Sequence, residues 1–512
     1  MKRFANYRPL VVIAVSMVLA TIFSVRVFEA NKAKLLCFII LIALFVCLVA
    51  IQLWLKKKFL YLIMASVFAM ALPFGLVYLK SKNYTKLASH NDETFVIEGK
   101  IADNYKFTSS GNLSISLTNV KVVEGSLNKI DGTVTIYTNP NNFVLEDFKV
   151  GRIIKVKTNL TFFNLETDSE RASSFLSRDN TCFGYANFYD VSFTDSYDIS
   201  VRDEFCSSVF ERLKYYNVKH ADVAYAMLFG ESNYLDDEVK TEFRETGIAH
   251  IVAVSGLHFS VIFGLILFLI DFFKLPVRKF TLLKVLIIFL YCYLCKFSVS
   301  VVRAGLLAFF SILAMARGKA YDNMSCLAIV AMIFLLANPL TLFNLSFILS
   351  FSAVLSIELL TSPFEKLFSN VFRSKFSSAL AINCSVQVGL FAINMLYFGK
   401  FSCLGILANL ILIPIVSFAF ILLFIGVLLS GALPISMMLA KVYGILMDIV
   451  VKFNRYISKI NFSLKLGNIH ILAILFSFIF MFVMSDYLFV NKKQRLIAGT
   501  VSLATLICFM FI

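Results

Sequence analysis

Apolar positions along this chain follow two different periods. Three long runs open it, at 9–25, 35–55 and 59–79, each close to the ~20 residues that carry a helix across hydrocarbon. The first follows Lys2, Arg3 and Arg8 as a signal peptide would, but no A-x-A cleavage site comes after it, so a retained helix is expected. From Ile248 onward apolar runs return almost without pause, at about 248–272, 283–300, 301–316, 322–338, 344–360, 379–397, 402–430, 434–457, 468–490 and 496–512. Between the two groups the pattern becomes alternation. Phe95, Ile97 and Ile101 stand against Glu98 and Lys100, and Leu113, Ile115 and Leu117 against Ser114, Ser116 and Thr118. Further segments of this kind are 133–138, 152–160 and 183–193. A period of two, punctuated by Gly, Asn and Pro, predicts a small antiparallel β domain. Five or so strands predict a closed or partly open barrel of the OB type.

The expected architecture is a polytopic α-helical membrane protein, with about 11–13 transmembrane helices and an external OB-like β-barrel. Its divisions are a three-helix membrane segment (1–79), the β domain (80–198), an amphipathic linker (199–247) and a long transmembrane domain (248–512). In the linker, Phe205, Val209, Leu213 and Tyr216 recur near helical spacing, as in a helix lying at a membrane interface or an ordinary soluble one.

Composition supports this reading. The chain is 59% hydrophobic and only 16% charged, against roughly 25% charged in a soluble domain. A water-soluble fold could not cover that apolar surplus, whereas a bilayer accepts it. The net charge of +16 would point to nucleic acid in a soluble protein. Here the simpler source is the excess of basic residues in cytoplasmic loops. They gather at Lys274/Arg278/Lys279, Arg317/Lys319, Lys366/Arg373/Lys375 and Lys492/Lys493/Arg495. With the N-terminus inside, three spans put the β domain outside; ten more put all four basic stretches inside and the C-terminus outside. The β region itself is balanced, with 13 Lys+Arg and 15 Asp+Glu over residues 80–198, which argues against a bulk electrostatic DNA clamp. Most cysteines sit in apolar stretches as small hydrophobes. Cys182 and Cys206 lie in or beside the β region, where a disulfide would form if that side is oxidising. Cys292 and Cys295 form a C-x-x-C inside an apolar run without a second pair, so no metal site is expected there.

The segment beginning at Ala226 reads AMLFGESNYLDDEVKTEFRETGIAHIVAVSGLHFSVIFG. It resembles the signature of the ComEC competence-protein family: a short helix ending in Gly-Asp/Glu, a charged link, then Thr-Gly-x-x-His and Ser-Gly-Leu-His. Those elements fall on Gly230-Glu231, Thr246-Gly247, His250 and Ser255-Gly256-Leu257-His258. SVSVVRAGLLA carries the family's Val-Arg-Ala element at Arg303. ANPLTLFNLSFILSFSAV is similar to its Asp-Pro and Gln-Leu-Ser-Phe stretch, with Asn338 in place of the Asp and Asn344 in place of the Gln. YFGKFSCLGILANLILIPIVS resembles a later element, at Gly405, Asn409 and Pro414. The resemblance covers nearly the whole chain and is strongest over 226–430. It implies an inner-membrane channel of a bacterium for single-stranded transforming DNA, without cofactor. Many family members also carry a metallo-β-lactamase-like nuclease domain, whose H-x-H-x-D-H pattern does not occur here. A channel and not an enzyme is therefore expected, with strand removal by a separate nuclease. The resemblance further implies a membrane-anchored periplasmic DNA receptor. No G-x-x-x-x-G-K-[ST] loop is present, so a cytoplasmic helicase or translocase motor is implied.

A DNA strand crosses hydrocarbon only where polar groups inside a bundle replace water. Ser255-Gly256 reads as a helix start within an apolar run. Ser is a good N-cap, Gly permits strained backbone, and the helix N–H groups suit phosphate. His258 would add a hydrogen bond or a charge. Arg303 needs a partner or a polar cavity. Ser346, Ser350, Gln387 and Asn409 either line a path or bond neighbouring helices, and Ser255, Gly256 and His258 are equally consistent with close packing; His250 reads first as an interfacial hydrogen-bond partner. Two other functions share these features. One is a secondary transporter of a smaller anion. The other is a membrane enzyme on a lipid-linked substrate with His258 or His250 as base, which the lack of an acidic residue in the Ser-Gly-Leu-His element weakens.

Overall fold

The computed structural model describes residues 8–29, 58–91, 93–108, 110–140, 147–274, 280–402, 404–429, 433–460, 463–464, 472–487 and 492–511. The chain forms two compact units, Arg8–Phe205 with Ala328–Phe347, and Cys206–Leu327 with Ile348–Ile512.

In the first unit, helices Pro9–Glu29 and Lys58–Ala88 run side by side. Val25, Phe74 and Val77 are buried in one shared apolar cluster, and Met17 and Ala69 in another. The expected span at 35–55 lies outside the described residues. The β domain consists of β1 (Thr94–Ile101), β2 (Lys106–Phe107), β3 (Leu113–Glu124), β4 (Thr133–Thr138), β5 (Arg152–Phe162), β6 (Asn180–Tyr185) and β7 (Val191–Tyr197). Five of these close on themselves in the order β1-β3-β4-β6-β5-β1. The β4–β6 pair is parallel and the other contacts of the ring are antiparallel. This is the OB-like barrel that the alternation predicts, and the inward positions Phe95, Ile97, Ile115, Ile136, Val156 and Leu160 are all buried.

Two features of the barrel depart from expectation. The apolar run at 183–193 is two strands rather than one, because a tight turn at Phe188–Asp190 interrupts it. Only β6 belongs to the ring; β7 lies against β5 outside it. A short helix, Ser169–Leu176, precedes β6, started by Asp168, whose side chain accepts from the Arg171 N–H at 3.1 Å. Of the two cysteines considered for a disulfide, Cys182 belongs to the first unit and Cys206 to the second. Cys182 is buried in the barrel core, where burial pushes its thiol pKa up, and Cys206 is buried in a separate core with Val209 and Phe210.

The linker forms an amphipathic helix, Val201–Tyr215, that buries Val209 and Leu213 while Phe205 stays exposed. Among the described residues, each apolar run after 248 contains an α-helix. The helices are Gly256–Phe272, Thr281–Leu294, Val299–Ala316, Asn323–Ala337, Leu345–Phe368, Ser374–Phe398, Gly405–Leu428, Leu433–Ile460, Leu472–Met484 and Lys492–Phe511. Among the described residues seven helices are long and apolar enough to cross a membrane: Pro9–Val27, Tyr61–Ala88, Val299–Ala316, Leu345–Phe368, Ser374–Phe398, Gly405–Leu428 and Pro434–Ile460. Four more, Gly256–Phe272, Thr281–Leu294, Asn323–Ala337 and Ala473–Met484, are apolar but shorter. Several runs expected as complete spans are thus short helices. A 14-residue helix reaches roughly 21 Å, less than the ~30 Å hydrocarbon core. The run at 283–300 stops early because Lys296 and Phe297 take left-handed backbone, φ 50° and 49°. The run at 248–272 begins with a tight turn, Ala249–Ile251, and becomes a continuous helix only at Gly256.

Candidate functional site

The signature residues gather in the second unit, at the start of the helix Gly256–Phe272. Ser255 is its N-cap, in extended backbone at φ −137° and ψ 169°. The Ser255 N–H donates to His258 Nδ1 at 3.2 Å, and the Ser255 hydroxyl stands 3.3 Å from the same nitrogen. Because Nδ1 accepts, the neutral ring carries its proton on Nε2. His258 is 1% exposed, its ring lies 4.7 Å from that of Phe420, and Nε2 has no partner among the described residues. A buried N–H donor is thus left unused beside a helix N-terminus.

Arg303 reaches the same place from the helix Val299–Ala316. It is 7% exposed. Its Nη1 donates to the carbonyl of Ser350 on the helix Leu345–Phe368, and its Nε has no partner. Among the described residues no carboxylate pairs with it. A Cβ added to Gly256 would stand 2.7 Å from Nη2, so the glycine leaves the space the guanidinium fills. Arg303 and the Ser350 carbonyl thus lie against Gly256, while Ser255 and His258 are bonded to each other at the same helix start. A buried cation without a carboxylate is costly unless water or an anion compensates it. The start of this helix therefore carries two separate unmet needs, a buried cation on its Gly256 side and an unused N–H donor at His258.

A second polar cluster surrounds Thr246 and Gly247. Thr246 ends the helix Asp237–Glu245 and is fully buried; its hydroxyl lies 2.6 Å from Asn454 Oδ1 on the helix Leu433–Ile460. Gly247 has φ +77°, a conformation that costs a side-chain-bearing residue, and lies close to Ser402. Gly405 permits the next approach, since a Cβ there would stand 2.9 Å from Gln387 Nε2 and 3.3 Å from the Thr246 carbonyl oxygen. One turn along from Gly405, Asn409 is 6% exposed with its Oδ1 unpartnered; Asn454 Nδ2 is likewise unpartnered.

Of the remaining candidates, Gly230, Glu231 and Ser346 make contacts of their own, whereas His250 lies near enough to His258 for the two rings to interact. Gly230 caps the helix Ala221–Phe229 at φ +83° and abuts Val254. Glu231 pairs with Lys296 at 3.1 Å. His250 lies exposed in the turn Ala249–Ile251. Ser346 belongs to the first unit, exposed, with its N–H donating to Asn344 Oδ1 at 2.9 Å. The two asparagines that replace the family's Asp and Gln both act as turn caps, Asn338 accepting from the Leu340 N–H at 3.1 Å. Sequence reasoning missed Asn454 and Phe420. Each is one residue in an apolar helix far along the chain, and no local pattern marks it.

The fold and these clusters define a multi-pass helical membrane protein with a small barrel domain and buried polar groups inside its helical unit. A family model described as "Competence protein" matches residues 227–489. The chain belongs to that family. It is 26% identical over 196 residues to ComE operon protein 3 of Bacillus subtilis (strain 168), covering 38% of this chain and 25% of that protein. It is 27% identical over 258 residues to Recombination protein 2 of Haemophilus influenzae, covering 47% of this chain and 33% of that one. The match spans a third or less of these relatives' length. No solved structure matches the chain.

Proposed function

We propose that this protein conducts one strand of DNA across the cytoplasmic membrane during natural competence. The observation that carries this reading is Arg303. It is a buried guanidinium with no carboxylate partner among the described residues, placed beside a helix start that offers an unused His258 donor. Family membership points to competence, where the ion that must cross is a chain of phosphates. Contacts of this kind suit passage, because a strand gripped tightly would not move; the same balance governs ion conduction. In this reading the Thr246–His258 element stands at the external mouth, the barrel domain is external and the N-terminus is cytoplasmic. In this reading the chain acts as a channel and takes no part in hydrolysis of the DNA. A periplasmic receptor would deliver the DNA, a cytoplasmic motor would draw the strand in, and a separate nuclease would remove the other strand.

The test is deletion and complementation in a naturally transformable strain. Loss of the gene should abolish chromosomal transformation while DNA still reaches the periplasm, and the intact gene should restore it. Undiminished transformation in the deletion strain would overturn the proposal.

A further inference from the structure

The helix Lys58–Ala88 continues past its apolar part. Its candidate span, Tyr61–Ala88, is 28 residues, roughly 42 Å of helix against a ~30 Å hydrocarbon core. The last turns therefore stand in the headgroup layer, and there the sequence changes from apolar to YLKSKNYTKLA. Tyr78, Lys82 and Lys86 recur every fourth residue and form one stripe, with Ser81 and Thr85 beside it.

A groove of about 430 Å³ runs along this stripe, lined by Tyr78, Ser81, Lys82, Thr85, Lys86 and Glu166. Its loop wall is fixed by Asn164, whose Oδ1 accepts from the Glu166 N–H at 2.9 Å and faces the Thr85 hydroxyl at 3.5 Å. Thr85 returns its hydroxyl to the Ser81 carbonyl at 2.9 Å, as helical Ser and Thr commonly do. Ser81 does not: it is 2% exposed and its Oγ has no partner among the described residues. The groove thus holds an unused hydroxyl and two exposed ammonium groups against one carboxylate. That is a net positive charge, with hydrogen-bond donors, at the depth of the lipid headgroups.

We propose that this groove binds the phosphate of an anionic lipid headgroup, held by Lys82, Lys86 and the Ser81 hydroxyl. Tyr78 stands at the boundary where an aromatic ring favours the interface. DNA phosphates carry the same chemistry, but a lipid is favoured because the groove lies where the helix changes from apolar to basic and polar residues.

The test uses the full-length protein in a neutral detergent, with short-chain phosphatidylglycerol, short-chain phosphatidylcholine, inorganic phosphate and an oligodeoxythymidylate as separate probes. Phosphatidylglycerol should bind saturably and more tightly than the other three. Lys82→Gln with Lys86→Gln should weaken it roughly thirtyfold, and Glu166→Gln should tighten it, a change that misfolding would not produce. Equal binding of phosphatidylcholine or of inorganic phosphate, tighter binding of the oligonucleotide, or unchanged affinity in the double lysine variant would overturn the proposal. A transformation defect has no bearing on this result, which separates it from the conduction proposal.

Discussion

Nη2 of Arg303 stands 2.7 Å from the position a Cβ on Gly256 would occupy. The glycine of the Ser-Gly-Leu-His element is therefore tied to a cation in another helix, 47 residues along the chain. It has a packing role and a positioning role at once. Its own backbone is ordinary helix, so it is the approach of the guanidinium, and not conformational freedom, that keeps the position small.

Gly256→Ala should push the guanidinium out of its place. The neighbouring atom is the far end of a flexible side chain, so the protein should still fold, with a cost of about 1–3 kcal/mol. Membrane abundance should stay normal and strand import should fall to the level predicted for Arg303→Ala. Immunoblots and transformation frequency measured together check this; normal transformation with Ala at 256 would separate the glycine from the cation.

Much of this was readable in the residues. The barrel followed from alternation because one face of each strand is dry, and the period of two survives wherever that holds. The run at 183–193 misled because a three-residue turn hides inside an apolar stretch, and the helix Ser169–Leu176 is too short to show a period; Asp168 three residues ahead of Arg171 was its one local signal. At the site, Arg303 stood out because lipid refuses a charge. Asn454 and Phe420 were invisible, since a single Asn or Phe in a long apolar helix gives no sign of which distant turn it meets. Likewise, apolar runs alone did not reveal where left-handed residues such as Lys296 and Phe297 break a helix short.

Thr246→Val should destabilise the protein by about 1–3 kcal/mol, because it removes the hydroxyl that meets buried Asn454 Oδ1 at 2.6 Å. Thermal unfolding in detergent should show the loss. Adding Asn454→Leu to the valine variant should recover part of it, since both ends of the bond are then apolar. Additive losses would show that the two side chains are not coupled.

Asp486 offers a pH test. Burial raises its carboxyl pKa, but hydrogen bonds from Lys366, Ser362 and Arg495 outweigh this and hold it at about 2. A carboxyl held below its unfolded value of about 3.9 contributes stability above that pH, and the contribution is lost as pH falls through the folded value. Asp486 is 37% exposed, so solvent screening leaves about 1 kcal/mol. Asp486→Asn should lower the unfolding temperature at pH 7 and remove the part of the acid sensitivity between pH 4 and about 2 that belongs to this group. An unchanged midpoint at pH 7 would contradict the ion cluster's role.

Reporter fusions test the proposed orientation. Fusions at Lys375 and Lys493 should report the cytoplasm, because both lie in the basic stretches that the positive-inside rule assigns there. A fusion in the barrel domain, at the exposed Tyr189, should report the outside. An external signal from either lysine position would reverse the topology.

If Arg303 and His258 serve the passage of the strand, loss of either should stop its entry into the cytoplasm. Labelled DNA should be supplied to a transformable strain carrying Arg303→Ala or His258→Ala as its sole copy, and label counted separately in periplasm and cytoplasm. With each variant present in the membrane at normal abundance, periplasmic label should match wild type and cytoplasmic single strands should be lost. Normal cytoplasmic label in both variants would remove these residues from the path and contradict the account.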